Sequence, residues 1–193
     1  YQGLAAFRPP MTELPGNSFP VVLVGSILIG GILGELVGIE KGLNRLGESL
    51  RKRFGGGQRR FTEGFVVASL VFCVGPLTVL GSLQDGLFGD YSLLAIKAML
   101  DGFAALAFAS ALGWGVGFSI IVILVYQGGL SLAAGAVEGI FNPITIAAIT
   151  ATGGVLILAI GFRLLQVREI RVANLLPALA LAPVAAAIID QLG

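Results

Sequence analysis

The chain has 193 residues, of which 56% are hydrophobic and 12% are charged, and its mean hydropathy is +0.95, whereas soluble domains carry about 25% charged residues. This composition excludes an ordinary soluble domain and predicts an all-α integral membrane protein, a polytopic bundle of transmembrane helices. The sequence has no histidine and a single cysteine, Cys73, which excludes an internal disulfide and histidine-based metal or proton-relay chemistry. With a net charge of +1, no nucleic-acid partner is expected.

The N-terminal part of the chain divides into a polar segment and a first membrane span. Residues 1–17 contain three prolines and are predicted to form an external segment that is not a native start, because neither methionine nor a signal peptide begins it. A transmembrane helix is predicted over residues 18–39, since about 1.5 Å per residue lets it cross about 30 Å of hydrocarbon. Small residues recur every fourth position in this helix and predict close packing against another helix: Ser26, Gly30, Gly34 and Gly38.

Residues 40–54 combine apolar positions at helical spacing with basic residues on the other faces. This pattern predicts an amphipathic helix that lies on the membrane surface, with anionic lipid of the bilayer as its partner at this basic loop. A topology anchor without a bound ligand is the alternative. Gly55, Gly56 and Gly57 are expected to end the helix.

Five further transmembrane helices are predicted, over residues 62–83, 90–112, 116–137, 143–165 and 175–189. Pro76 lies inside the first of them and cannot donate a backbone hydrogen bond, so we expect a kink that leaves the carbonyl of Phe72 free. Asn142 is expected to cap the transmembrane helix over residues 143–165. Pro177 and Pro183 interrupt the last helix, which is predicted to be kinked or only partly spanning.

Lysine and arginine concentrate in two loops. Seven lie between the first and second spans and three between the fifth and sixth, whereas the loops after the second and fourth spans have none. Six spans place both basic loops on the same side, as the positive-inside rule requires. The prediction is a single multi-pass domain over residues 18–193, with loops 40–60 and 163–171 in the cytoplasm and both visible termini external.

Four stretches have a distinctive residue order: FCVGPLTVLGSLQDGLFGD, YSLLAIKAMLDG, ATGGVLILAIGFRLL and IRVANLLPAL. They resemble the bacterial YqgA/YdfK family of multi-spanning membrane proteins of unknown function, and the similarity extends over residues 25–186. The resemblance implies a protein of the bacterial inner (plasma) membrane. Members usually carry further membrane segments ahead of the first helix, so this chain is expected to lack its N-terminal segment. The resemblance implies no reaction and no functional residue.

Lys97 and Asp101 are the main candidates for a buried polar or transport site. They lie four residues apart on the third predicted span, so they share one helix face and can form an ion pair. A charge at the centre of the bilayer costs at least about 3 kcal/mol, which predicts that both face protein or water. Two interpretations stay open: the pair locks its helix to the neighbouring helices, or it forms a substrate or ion site.

Other polar residues are weaker candidates. Glu35 is either a second buried polar site or a side chain that reaches the surface from the end of the first helix. Gln127 on the fourth span is either part of the transport site or an interhelical hydrogen-bonding group. The acidic turn supplies either an outer cation or entry site through oxygen ligands, or ordinary turn and capping groups: Gln84, Asp85 and Asp90.

Two function classes follow from these observations. The first is a transporter or channel-like protein for a small solute or ion that uses the Lys97/Asp101 face. The second is a non-catalytic scaffold or accessory subunit, either a homo-oligomer or part of a larger membrane complex, which the glycine stripe of the first helix favours. No paired-histidine, nucleophile-elbow or phosphate-loop motif is present, so neither an enzymatic activity nor a cofactor is expected, and a metal is left open.

Overall fold

The described residues of the computed structural model are 18–54, 60–137, 142–167 and 170–192. They form an all-α bundle without a β-strand, which confirms the fold class. Within these ranges there are eight α-helices: α1 (Ser18–Val37), α2 (Ile39–Phe54), α3 (Phe61–Val74), α4 (Pro76–Phe88), α5 (Ser92–Leu112), α6 (Ser119–Val137), α7 (Pro143–Leu164) and α8 (Pro177–Leu192). Two 3-10 helices, Trp114–Phe118 and Val172–Leu175, precede α6 and α8. The predicted N-terminal segment 1–17 and the predicted glycine break at 55–57 lie outside the described residues.

The second predicted span is broken at Pro76. The axes of α3 and α4 differ by 62°, and Gly75 between them is extended, with φ −67° and ψ 147°. The predicted kink is therefore confirmed, and its cause is the missing N–H of proline. The prediction of a free Phe72 carbonyl is wrong, because the Thr78 Oγ1 hydroxyl donates a hydrogen bond to that oxygen at 3.0 Å.

Helices α3 and α4 together form one passage through the bundle. Helix α5 runs antiparallel along both of them, since Leu112 packs at Gly64 near the start of α3 and Leu94 packs at Gly81 of α4. The broken pair therefore covers the same length as α5, which is a single apolar helix of 21 residues. Five helices and this pair give six segments that are long and apolar enough to cross a membrane, in agreement with the six predicted spans.

Both basic loops meet at one end of the bundle, which we call the basic end. Arg163, in the last turn of α7, binds Glu40 at the start of α2 with an Nη1 to Oε1 distance of 2.5 Å. At the opposite end, the Asn142 amide lies 3.2 Å from the Asp190 carboxylate and joins the start of α7 to the last turns of α8. The shared end agrees with the six-pass prediction, while the side of the membrane on which it lies stays a prediction.

Helix α1 packs closely against α8 and the 3-10 helix that precedes it. A Cβ atom on Gly34 would lie 1.9 Å from the Asn174 carbonyl oxygen, and one on Gly30 would lie 2.5 Å from the Ala178 nitrogen. Only glycine permits this approach. Gly38, the last member of the predicted stripe, lies outside the contact: its φ of +73° ends α1 and turns the chain into α2.

One side of helix α2 packs against the rest of the bundle. Gly47 contacts the Phe65 ring of α3, and the Thr62 hydroxyl donates to Glu48 Oε1 at 2.8 Å. Hydrogen bonds from Arg51 and then Thr62 hold the pKa of Glu48 below its ordinary value. Three apolar residues of α2 pack against the core: Ile39, Leu43 and Leu50. The anionic lipid expected at this helix stays a prediction.

The last membrane segment is longer than predicted. Pro183 lies within α8, and the preceding 3-10 helix extends the apolar segment to 19 residues, Val172–Asp190. This segment is therefore long enough to cross the membrane completely. The predicted Asn142 cap is confirmed, because Asn142 and Thr145 exchange hydrogen bonds in a capping box.

Candidate functional site

The Lys97 and Asp101 side chains form an ion pair on the inner face of α5, with Lys97 Nζ donating to Asp101 Oδ2. Lys97 is 5% exposed, and the Asp101 side chain is 26% exposed. The outward face of the same helix is covered by large apolar residues, which suits contact with lipid: Ile96, Met99, Leu100 and Phe103. The structure thus turns both charged groups away from the lipid-facing surface.

The ion pair lies level with the break between α3 and α4. Along α5, the pair falls between Leu94, which packs at Gly81 of α4, and Phe108, whose ring lies 6.1 Å from that of Phe72 in α3. The break lies within this same interval of the partner helices. Cys73, just before the break, is within electrostatic reach of both charged groups.

Polar groups of the backbone and of small side chains surround the break. The Val74 carbonyl faces α7 and would lie 2.9 Å from a Cβ atom on Gly153, so α7 approaches the end of α3 closely. The Thr152 hydroxyl, next to Gly153 on α7, is buried without a hydrogen-bond partner among the described residues. The Ser82 hydroxyl, six residues after Pro76 on α4, is also buried and unpaired within them. Buried hydroxyls normally find a partner, so both groups remain open for a hydrogen bond.

The ion pair is contained within one helix. In the described part of the chain, neither Lys97 nor Asp101 makes a hydrogen bond to another helix. One interpretation left open by the sequence was that the pair locks α5 to its neighbours. No interhelical hydrogen bond supports such a lock.

An apolar groove of 310 Å³ opens between α2, α3 and α6. Leu43 and Leu46 of α2 line its outer part, and Cys73 and Tyr126 line the part nearest the break. The groove therefore connects the neighbourhood of the break with the side of the bundle.

Glu35 belongs to a different region from the ion pair of α5. It is exposed at the end of α1, where Arg171 Nη1 and Asn174 Nδ2 each donate to its carboxylate at 2.5 Å. The surface position that the sequence left as an alternative is the one observed.

The sequence did not identify the most extensive polar cluster among the described residues. Glu40 is buried and accepts hydrogen bonds from Arg163 and from the Ala173 N–H at 3.0 Å, while its own N–H donates to Asn174 Oδ1 at 2.8 Å. We call these residues the basic-end network: Glu35, Glu40, Arg163, Arg171 and Asn174. The one sequence signal was electrostatic, since an acid in the first turn of α2 and a base in the last turn of α7 both suit the helix dipoles.

The acidic turn between α4 and α5 forms local hydrogen bonds at the ends of these two helices. Asp90 accepts hydrogen bonds from the Ser92 N–H at 2.9 Å and from the Ser92 hydroxyl and Gln84 amide at 2.5 Å each. These bonds, that of the Ser92 hydroxyl first, hold the pKa of Asp90 below its ordinary value. The Asp85 carbonyl accepts from Gly89, which ends α4 at φ +67°. No group of three or more histidine, cysteine, aspartate or glutamate side chains in the described ranges could hold a metal ion.

Gln127 lies half-buried on α6 and makes no hydrogen bond with the described residues. One turn later, the Ser131 carbonyl approaches α4 so closely that a Cβ atom on Gly86 would lie 2.1 Å from it. Helix α6 therefore faces α4 at Ser131. No polar partner supports an interhelical bond for Gln127.

Five apolar helices and the bent α3–α4 pair are each long enough to cross a membrane, and an ion pair turns away from the outer apolar surface; together they define an α-helical polytopic membrane protein. The chain belongs to the family described as "Protein of unknown function (DUF554)", whose model matches residues 9–187. This result confirms the resemblance drawn from the sequence motifs.

Two relatives are similar over most of the chain. The uncharacterized membrane protein YdfK of Bacillus subtilis (strain 168) is 34% identical over 181 residues, which cover 94% of this chain and 76% of that protein. The uncharacterized protein YqgA of Escherichia coli (strain K12) is 33% identical over 171 residues, which cover 86% of this chain and 73% of that protein. No solved structure gives a significant match.

Proposed function

We propose that this protein moves a small solute or ion across the membrane along the face of α5 that carries Lys97 and Asp101. The observation behind the proposal is the position of the pair: it is buried, level with a broken helix, and not hydrogen-bonded to any other helix in the described ranges. Ionisable residues inside a membrane are expensive and commonly mark substrate or ion pathways.

The break supports the same proposal through the chemistry of the backbone. Non-helical backbone at membrane depth is tolerated where protein or a water-filled cavity surrounds it, and discontinuous helices form the binding sites of many transporters. Here the break is enclosed by α5 and α7. The unpaired hydroxyl groups of Thr152 and Ser82 add two further ligands for a polar solute.

An ion pair within one helix can exchange partners without moving that helix. Lys97 and Asp101 are joined by one turn of α5, so rotation of the two side chains is enough to separate them. A passing cation can then replace the lysine at Asp101, or a passing anion can replace the aspartate at Lys97. The more exposed Asp101 is the side of the pair that a solute reaches first.

The orientation in the membrane completes the proposal. We place the protein in the bacterial inner (plasma) membrane with its basic end in the cytoplasm, as the positive-inside rule favours. The basic face of α2 then contacts the anionic lipid of the cytoplasmic leaflet. No reaction and no cofactor are proposed for the chain.

Flux measurements test the transport proposal. Proteoliposomes containing the full chain are assayed for proton and alkali-cation movement under an imposed potential, and for swelling with a panel of small polar solutes. We expect a flux that Asp101→Asn and Lys97→Met each abolish while the variants remain folded. The matched control pair Glu48→Gln and Arg51→Met removes a half-exposed ion pair of α2 and should leave the flux intact. Unchanged flux in the α5 variants would remove these residues from the mechanism.

A scaffold or accessory subunit is the second candidate, and one observation favours it. The glycine stripe of α1 is already covered by α8, but three glycines of α6 have no atom near the position of a Cβ within 4 Å: Gly128, Gly129 and Gly135. A smooth outward helix face suits close approach of another membrane helix, from a second copy or from a larger complex. Native mass spectrometry from lipid nanodiscs should then show a fixed stoichiometry that Gly129→Leu disrupts, whereas a monomer in both samples would contradict it.

A further inference from the structure

A polar cavity of 690 Å³ lies at the basic end, apart from the ion pair of α5. Its volume falls within the range of about 300–1,000 Å³ that is typical of small-molecule sites. Six polar side chains line it: Glu40, Asn44, Glu63, Arg163, Gln166 and Arg171. We propose that this cavity binds a phosphate-type oxyanion between the guanidinium groups of Arg163 and Arg171, with the amide of Gln166 as a further donor.

The hydrogen-bond inventory of the cavity favours a ligand that accepts hydrogen bonds. Arg163 and Arg171 each donate from one nitrogen, to Glu40 and Glu35 respectively. A guanidinium carries five N–H donors, so most donors of both groups are left for a ligand. Arginine pairs present the fork geometry that phosphate and carboxylate oxygens match.

The carboxylates that line the cavity are already engaged. Both oxygens of Glu40 accept hydrogen bonds, one from Arg163 and one from the Ala173 N–H. Both oxygens of Glu63 accept from Arg60, at 2.9 and 3.2 Å. These acids therefore offer little to a cationic ligand. In the described part of the segment between α1 and α3, six basic residues lie near the same end, and their field attracts an anion.

Gln166 occupies a backbone position that normally belongs to glycine. It is the one non-glycine residue with positive φ in the described part of the chain, at 56°. The N–H of Gln166 bonds to the Arg163 carbonyl, and the N–H of Val167 bonds to the Phe162 carbonyl, which is the Schellman arrangement at a helix C-terminus. Glycine would relieve the strain, yet the chain places there an amide side chain that lines the cavity and makes no hydrogen bond with the described residues.

Binding is measured on the full chain in neutral detergent by titration with sodium phosphate, with chloride at equal ionic strength as the reference. We expect phosphate to raise the thermal midpoint. Arg171→Gln should weaken phosphate binding at least about tenfold, the loss expected when a charge-assisted hydrogen bond disappears. Arg51→Gln removes the same charge from a half-exposed position on α2 outside the cavity and should leave phosphate binding unchanged.

Gln166→Gly separates binding from stability. It should raise the midpoint without phosphate by about 2–4 °C, because the strain is relieved, and weaken phosphate binding. Gln166→Leu should weaken binding without that rise. Equal phosphate binding by wild type and both Gln166 variants, or an equal loss in Arg51→Gln and Arg171→Gln, would overturn the proposal.

A second arm distinguishes free phosphate from a lipid headgroup. The chain is placed in nanodiscs of phosphatidylcholine with or without phosphatidylglycerol, and Arg171→Gln and Gln166→Gly are each compared with the wild-type protein. Stabilisation by phosphatidylglycerol alone, lost in Arg171→Gln and Gln166→Gly, would identify the ligand as a headgroup phosphate. Stabilisation by free phosphate with this variant dependence would identify a soluble anion. If neither probe stabilises the wild-type protein, the cavity is not an oxyanion site.

Discussion

In the described part of the chain, two ion pairs face inward, and they are built in opposite ways. Glu40 and Arg163 are 123 residues apart in sequence and join the start of α2 to the end of α7, and the same Glu40 carboxylate holds the Ala173 N–H. Lys97 and Asp101 are four residues apart on one helix and bind only each other in the described ranges.

This difference supports a structural role for the Glu40 pair and the proposed transport role for the Lys97 pair. The Glu40 pair stabilises the fold by connecting distant elements, and its charges are satisfied by several groups. The Lys97 pair connects nothing across helices, so folding gains little from two charges that are costly inside a membrane. An arrangement that costs stability without joining elements is expected where a function needs it.

The first prediction extends the comparison to the backbone beside each pair, and it has the largest expected effect. Gly34→Ala places a methyl group against the Asn174 backbone of the basic-end network and should lower the free energy of unfolding by about 3 kcal/mol. At Gly102, next to Asp101, an added methyl group would point into open space. Gly102→Ala should therefore raise the free energy of unfolding by about 0.5–1 kcal/mol. Denaturant unfolding in mixed micelles measures both values, and similar effects at the two sites would break the comparison.

The second prediction removes the acid of the cross-linking pair. Glu40→Ala leaves Arg163 and the Ala173 N–H without their acceptor and should cost about 2–4 kcal/mol. Glu63→Ala is the control, because its Arg60 partner is half exposed, and it should cost no more than about 1 kcal/mol. A Glu40 variant as stable as wild type would show that the network does not hold the basic end together.

The third prediction concerns the break beside the α5 pair. Thr78→Val removes the hydrogen bond to the Phe72 carbonyl and should cost about 1–2 kcal/mol, because the oxygen stays buried and unpaired. Thr150→Val removes the hydroxyl of an exposed residue that donates to the backbone of its own helix, and it should change the free energy of unfolding by less than about 0.5 kcal/mol. Equal stability of both variants and wild type would show that solvent reaches the Phe72 carbonyl.

The fourth prediction has the smallest effect on stability. The double variant Lys97→Met/Asp101→Asn replaces the pair by neutral groups of similar size and should leave the free energy of unfolding within about 1 kcal/mol of wild type, or raise it. Unfolding is measured as for Gly34→Ala. A loss comparable with that of Glu40→Ala would show that the pair is structural after all.

Local chemistry made part of this structure predictable. Hydropathy and the positions of basic residues predict six passages with both basic loops at one end, because membrane spans depend on composition over about 20 residues. Pro76 predicts the break for an equally local reason, the missing N–H. The hydrogen bond from Thr78 to the Phe72 carbonyl was not predicted, because it depends on the bend that proline creates.

Long-range contacts set the limit of prediction. Glu40 was assigned to a surface helix, and its burial depends on Arg163 and on Asn174, which lies 134 residues away. Gly38 fits the period of the packing stripe, but its positive φ turns the chain. The sequence placed Lys97 and Asp101 on one helix face. That neither residue is hydrogen-bonded to another described helix is visible only in the packing of α5 against α3 and α4.

The accessibility of position 101 tests directly whether a solute can reach the ion pair of α5. In a Cys73→Ser background, Asp101→Cys is treated from each side of the membrane with a membrane-impermeant maleimide, with the lipid-facing Gly102→Cys and the exposed Ser92→Cys as references. We expect the thiol at position 101 to react and the thiol at position 102 to stay unlabelled. Complete protection of position 101 from both sides, with normal labelling at position 92, would contradict a transport path along α5.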